Sequence, residues 1–274
     1  MSNDCLKLDS LFNLRDRVVV VTGCTGVLGA RYCRAFVENG TRVVMADIPE
    51  RNPSGAAEAL GRELGGSAFG MACDVTRESD VIALFETAVK QFGRVDVVLN
   101  NAAATGEHLL KVGDVFAPFE QYPLSVWEQV LKVNLTGVFL VAREGGKAML
   151  AHGGGSMINV SSIYGVVGPD HRIYDGMPFA SFPAYTAGKA GVHGLTMWLA
   201  TYWGARGIRV NTLVPGGVYN GHSKEFVRRY SQRTPLARMA ERDDLVGMVL
   251  YLASDASRYC TGQEFIVDGG LTAW

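Results

Sequence analysis

Arg17-Val-Val-Val-Val-Thr22 runs into Gly23-Cys-Thr-Gly26-Val-Leu-Gly29, continues as Ala30-Arg-Tyr-Cys-Arg-Ala-Phe-Val-Glu-Asn39 to Gly40, and returns through Arg42-Val-Val-Met-Ala-Asp47. The first and last segments are short β-branched runs, as expected of strands buried on both faces of a parallel sheet. Between them lies a helical stretch that Gly40 closes as a C-cap. A glycine-rich turn between strand and helix lets backbone N–H groups and the helix N-terminus approach a pyrophosphate. Gly23, Thr25, Gly26, Val27, Leu28 and Gly29 are therefore candidate cofactor-binding residues, with a ligand-free tight turn as the alternative.

The same alternation continues outward. Helices are expected near 55–64, 77–92, 124–151 and 242–253, with one more carrying Tyr185. Strands are expected near 67–73, 95–99, 156–161, 208–214 and 264–267. This pattern predicts an α/β fold, a Rossmann-type doubly wound parallel sheet with helices on both faces. No repeat, low-complexity tract or linker divides the chain, so residues 1–274 are read as one domain.

Asp47 ends the second strand, 18 residues after Gly29. A carboxylate there can accept the ribose hydroxyls of an adenosine and repels a 2′-phosphate, and Ile48 supplies no cation to offset that. The pair favours NAD over NADP, although a loop could bring Arg51 back. Asp74, followed by Val75, suits an adenine amino group or a helix N-cap equally well. Asn101 and Ala102, just past the fourth strand, suit close packing on a cofactor, although Asn is also a common turn residue.

The 274 residues are 48% hydrophobic and 19% charged, with a net charge of −1. That composition fits a globular chain with a large core and offers no basic field for nucleic acid. No uninterrupted apolar run reaches the ~20 residues of a membrane span, and the polar start is unlike a secretory signal. The five cysteines form no C-x-x-C and are read as free thiols of a cytoplasmic protein; no metal site is indicated.

Chemistry is concentrated between Ser162 and Lys189. Tyr185 and Lys189 are four positions apart, on one face of a helix. A phenol ionises near pH ~10, and moving it to ~7 takes about 4 kcal/mol, toward which a nearby ammonium contributes. Ser161 and Ser162 end an apolar run, where a hydroxyl can hold a substrate oxygen against the phenol. Asn134, inside an apolar helix, must be satisfied or costs free energy to bury. An ordinary exposed Tyr–Lys pair and a satisfied core amide are the plain alternatives.

Taken in order, the glycine turn 22–29, Asp74, Asn100-Asn101-Ala102, Asn134, Ser162, Tyr185-x-x-x-Lys189, Pro215-Gly216 and Val267-Asp-Gly-Gly270 resemble the short-chain dehydrogenase/reductase family over nearly the whole chain. The resemblance implies hydride transfer between a nicotinamide and a carbon bearing a hydroxyl or carbonyl. It makes Tyr185 the general acid/base, with Lys189 lowering its pKa and binding the nicotinamide ribose. Ser162 positions the substrate oxygen, Asn134 holds a relay water, and Pro215, Gly216 and Val218 line the carboxamide. It further implies a homotetramer built partly on the helices carrying Asn134 and Tyr185. Two features depart from the single-domain pattern. The glycines stand at 23, 26 and 29, closer to the spacing of the extended, sugar-nucleotide epimerase branch, and the interval from Ser162 to Tyr185 is long.

The long interval is read as an insert at 169–178, with His171, Arg172 and Tyr174 as candidate substrate contacts. Residues 219–233 carry His222, Lys224, Arg228, Arg229 and Arg233 against one acid, Glu225. They are read as either a solvated helix face or a basic flap that attracts an anionic substrate. Ser161 to Arg233 also resembles a subgroup associated with bacterial nonulosonic-acid (flagellin-modification) sugar pathways. The expected activity is NAD-dependent oxidoreduction of a small polar sugar or sugar acid bearing an anionic group. A 3-oxoacyl or hydrophobic ketone reductase, and a catalytically silent cofactor-binding protein, are the alternatives.

Overall fold

The computed structural model describes residues 7–274; Cys5 lies outside them. The helices in chain order are α1 (Leu8–Leu11), α2 (Val27–Glu38), α3 (Pro53–Leu64), α4 (Glu78–Phe92), α5 (Gly106–Leu109), α6 (Leu124–Leu131), α7 (Val138–Leu150), α8 (Pro183–Trp203), α9 (Lys224–Ser231) and α10 (Val246–Ala253). The strands are β1 (Val18–Thr22), β2 (Arg42–Asp47), β3 (Ser67–Ala72), β4 (Val97–Asn100), β5 (Gly155–Val160), β6 (Ile208–Pro215) and β7 (Glu264–Val267).

The strands form one parallel sheet in the order β3-β2-β1-β4-β5-β6-β7. Val20 sits in register with Val44 on one side and Val98 on the other. Successive side chains leave a strand on opposite faces. Val20, Val44, Val98, Met157 and Val210 therefore enter one core, while Val19, Val21, Val43, Leu99 and Ile158 enter a second. Both faces are apolar and both are covered, which explains the uninterrupted valine run.

The chain moves outward from β1 to β3, then crosses back to lay β4 against the free side of β1. The reversal opens a crevice at the carboxyl ends of β1 and β4, the position where open α/β sheets bind ligands.

Element boundaries shift where side chains intervene. The third helix starts at Pro53 rather than 55, because Asn52 caps it by accepting from Gly55 N at 3.1 Å. The fourth strand starts at Val97 rather than 95. Before it, Asp96 Oδ2 accepts from Val18 N at 2.9 Å, so a side chain occupies a ladder position. The long helix is continuous from Leu124 to Leu150 but widens into a π-helical turn at Lys132–Gly137. By length and composition this run is apolar enough to cross a membrane. It nevertheless packs on α4 and α8 within the α/β layers and buries Asn134 and Glu144.

Candidate active site

The glycine turn occupies the crevice. Gly23 adopts φ +65°, and a Cβ on Gly29 would stand 2.0 Å from Gly23 O. Only glycine lets the helix start against the turn. Gly26 is the N-cap of α2 and provides no side-chain cap, leaving the first-turn N–H groups for an anion. Asn101 supports the turn from β4: its Nδ2 donates to Thr22 O at 3.0 Å and Gly23 O at 3.1 Å, while Ala102 N donates to Thr22 Oγ1 at 3.2 Å. Asn100 does something else. Its amide is buried and donates to Val138 O at 2.9 Å.

Asp47 reaches the same crevice from β2. Its Oδ2 accepts from Thr25 N at 2.9 Å and Thr25 Oγ1 at 2.7 Å, and its Oδ1 accepts from Ile48 N at 2.9 Å. The carboxylate is thus held in one orientation by the glycine turn itself. Asp74 does not cap the helix; it makes a turn by accepting from Thr76 N at 2.9 Å, and Arg77 is the residue before α4. Val75 is buried against Gly137. Pro215 ends β6, Gly216 N donates to Val267 O at 2.9 Å, and Val218 bridges to Ala240.

At the end of β5 the structure brings Ser162, Tyr185 and Lys189 together. The Ser162 hydroxyl beside Tyr185 pulls the phenol down, but burial is the larger effect and raises it above its ordinary value. Lys189 is 2% exposed. Its Nζ donates to Val160 O at 2.8 Å and stands 5.8 Å from the Tyr185 ring centroid. Burial pushes the ammonium down to about 8. Asn134 lies in the π-helical turn, with Oδ1 accepting from Ala104 N at 2.7 Å and Nδ2 donating to Ala104 O at 3.3 Å. The core-amide reading holds for its side chain, which clamps the loop after β4.

The insert and the flap form one unit. Residues His171–Tyr174 make a 3-10 turn, and Tyr174 packs on Phe179 and Phe226, with centroids 6.0 and 5.6 Å away. His222 stacks on Phe226 at 5.0 Å, and burial lowers its pKa. His171 remains exposed. Tyr174 Oη meets Tyr164 Oη at 2.7 Å, and burial pushes the Tyr174 phenol up to about 12.

The arginines of the flap are partly paired. Arg172 binds Asp170 through two 2.8 Å bonds, and Arg233 binds the same carboxylate. Arg228 and Arg229 share Glu225. The Arg172 hydrogen bond, with Arg233 beside it, holds Asp170 down to about 2. Four guanidinium groups thus share two carboxylates, and the unit keeps a net positive charge. A cavity of about 100 Å³ between insert, flap and C-terminus is lined by Tyr164, Asp170, Ile173, Tyr230, Arg233 and Trp274. Ser162 and Tyr185 are not in its walls.

Three contributors escaped the sequence reading. Tyr230 docks α9 by accepting from Gly217 N. Tyr164 brings a second phenol near Tyr185. His193 contacts Ser161 at 2.7 Å. A signal for the last was present, since Tyr185, Lys189 and His193 are spaced four apart along one helix face.

The family model described as "Enoyl-(Acyl carrier protein) reductase" matches residues 25–272. A D-threitol dehydrogenase of Mycolicibacterium smegmatis is 34% identical over 275 residues, covering 97% of each chain. A 3-alpha-(or 20-beta)-hydroxysteroid dehydrogenase of Mycobacterium tuberculosis is 38% identical over 257 residues, covering 94% of this chain and 90% of that one. The crystal structure of a gluconate 5-dehydrogenase from Burkholderia cenocepacia, in complex with NADP and tartrate, superposes with a TM-score of 0.84 at 28% identity, covering 97% and 98% of the two chains. The matches span the sheet, the glycine turn and the Tyr185 helix alike, and the chain belongs to the short-chain dehydrogenase/reductase family.

Proposed function

We propose that this protein is an NAD-dependent oxidoreductase that interconverts a secondary alcohol and its carbonyl, with a sugar or polyol as substrate. One observation carries the reading: the Tyr185 phenol faces the Ser162 hydroxyl, with Lys189 Nζ 5.8 Å from its ring centroid, at the carboxyl edge of the sheet next to the glycine turn. The family uses nicotinamide cofactors, and the residues fit one. The uncapped start of α2 suits a pyrophosphate, and the oriented Asp47 carboxylate, with Ile48 after it, suits a ribose with free hydroxyls. Bound nicotinamide supplies the hydride acceptor and, when oxidised, a positive charge.

In the oxidative direction Ser162 Oγ would hold the substrate hydroxyl, and Tyr185, ionised beforehand, would take its proton as the C–H bond breaks, the hydride leaves to the nicotinamide and the carbonyl forms. Lys189 holds positive charge beneath the phenol below about pH 8. Asn134 fixes the loop that lines this space. Gly23 to Gly29, Asp47, Ile48, Asn101, Ala102, Pro215, Gly216 and Val218 form the cofactor wall in this reading. Asp74 and Val75 complete its adenine end.

The paired phenols of Tyr164 and Tyr174 support a substrate rich in hydroxyls, because an unmatched buried donor is costly. The D-threitol and galactitol dehydrogenase relatives support a neutral sugar or polyol over the anionic one expected from composition. A sugar acid, including the nonulosonic-acid type, is the charged arm of the test. An apolar alcohol has support of its own in the Phe179–Tyr174–Phe226 cluster and the hydroxysteroid dehydrogenase relative. Exposed Leu124, Phe139, Met197, Trp198 and Tyr202 on the Leu124–Leu150 run and α8 support assembly as a homotetramer. The cytoplasm is the proposed place of action.

The test is reduced-nicotinamide formation from NAD and NADP, screened over polyols, sugars, matched sugar acids and hydroxysteroids. Turnover of a neutral polyol or sugar with NAD is expected. Preference for NADP would overturn the role of Asp47, and turnover of steroids alone would return the apolar reading. Gly29→Ala is expected to weaken NAD binding by about tenfold or more, equivalent to ~1.4 kcal/mol. Unchanged affinity in a fluorescence titration would remove the glycine turn from the cofactor site.

A further inference from the structure

Both ends of Lys189 are tied to consecutive residues at the end of β5. Its ammonium donates to Val160 O at 2.8 Å, and its own carbonyl accepts from Ser161 Oγ at 2.9 Å. Ser161 also contacts His193 Nε2 at 2.7 Å, and His193 Nδ1 lies 2.6 Å from Glu264 Oε1 on β7. The Nδ1 contact is oblique to the ring N–H, a charge contact rather than an aligned hydrogen bond. The loop after Ser162 closes directly over this chain. A Cβ on Gly165 would meet Ser161 Oγ at 2.7 Å, His193 Nε2 at 2.8 Å and the Lys189 carbonyl carbon at 2.9 Å.

Ser161 has one hydroxyl proton, which goes to the Lys189 carbonyl when His193 Nε2 carries a proton and to Nε2 when that nitrogen is bare. We propose that Ser161, His193 and Glu264 form a positioning chain that holds the turn of α8 carrying Lys189, and thereby the ammonium beneath Tyr185. The inference rests on the dehydrogenase reading for its effect on turnover, though not for its geometry.

The chain has two hydrogen-bond arrangements, and Glu264, whose side chain is 39% exposed, faces Nδ1 in both. With Nε2–H the histidine donates to Ser161, and Ser161 holds the Lys189 carbonyl. With Nε2 bare, Ser161 turns its proton to His193 and releases that carbonyl. Among the described residues, the charged groups facing His193 are Glu264 from β7 and Lys189 from its own helix. Ser161 faces it from β5 and Gly165 from the loop, and neither is charged. Thr196, one turn on, bonds Asn159 and Thr212 rather than the histidine.

The experiment compares wild type with His193→Leu, His193→Gln and Glu264→Gln by kcat, KM and imidazole ¹⁵N resonances across about pH 5 to 9. His193→Leu is expected to lower kcat about tenfold with KM for NAD nearly unchanged, the pattern of a lost transition-state arrangement. His193→Gln keeps an N–H toward Ser161 at every pH. It is expected to restore most of kcat and to remove the dependence on this proton. In wild type Nε2 should carry a proton, and the Glu264→Gln spectrum should differ from it. A bare Nε2 in wild type, or folded His193→Leu with wild-type kcat and pH profile, would overturn the proposal. If wild type turns over no alcohol while Nε2 is protonated in a Glu264-dependent way, the chain stands and the dehydrogenase reading fails instead.

Discussion

Tyr185→Phe is expected to lower kcat by about 10³-fold, within the 10²–10⁴ that a positioned acid/base contributes, while leaving cofactor affinity within about twofold. The ring itself is held by packing: it meets Phe182 edge-on with centroids 5.6 Å apart, and phenylalanine keeps that contact. What disappears is the hydroxyl beside Ser162, the group proposed to exchange a proton with the substrate oxygen. Stopped-flow turnover alongside a cofactor titration separates the two effects. Retained turnover would remove Tyr185 from the proton transfer. Lost cofactor binding would show that the phenol belongs to the nucleotide site.

Lys189→Met is expected to reduce turnover by about 10²-fold and to change how stability depends on pH. The folded-state ammonium is depressed to about 8 by burial, against an unfolded value near ~10.4. Between these values the unfolded chain holds a proton that the folded chain has released. Stability from this group therefore rises with pH across that window, by about 2 to 3 kcal/mol. Below about 8 both states are charged and the contribution is flat. Urea unfolding of the cofactor-free protein near pH ~7.5 and ~10, for wild type and variant, isolates the lysine as a difference of differences. A zero difference would mean that Lys189 titrates at its ordinary value. The methionine also leaves Val160 O without its donor, a cost of about 1 to 3 kcal/mol that is the same at both pH values and cancels.

The sheet was legible because its determinants are local. Valine runs that stop at glycine, helical spacing closed by Gly40, and strands spaced by helices require a parallel α/β stack whatever lies at a distance. The Tyr185–Lys189 pair was legible for the same reason, since helix geometry alone puts residues four apart on one face. Asp47 was placed correctly by its spacing from Gly29, but its orientation by Thr25 was not foreseen, because that bond joins two different strand ends. Asn134 was correctly identified as a residue that must be satisfied, and the partner turned out to be the backbone of Ala104, 30 positions earlier.

The charge of the flap shows the limit most clearly. Composition over 219–233 counts cations, but Arg233 is matched by Asp170, 63 positions away in the insert. His193 likewise meets Ser161 from a different strand end, 32 positions back. By itself the sequence determined the doubly wound sheet, the glycine turn at its crevice and the shared face of Tyr185 and Lys189, all of which follow from periodicity and backbone sterics. Tertiary structure alone decided which charges pair, how the insert docks on the flap, and which groups hold Lys189 in place. Hydrogen bonds and ion pairs act over a few ångströms in space, and only the folded chain determines which distant side chains come that close.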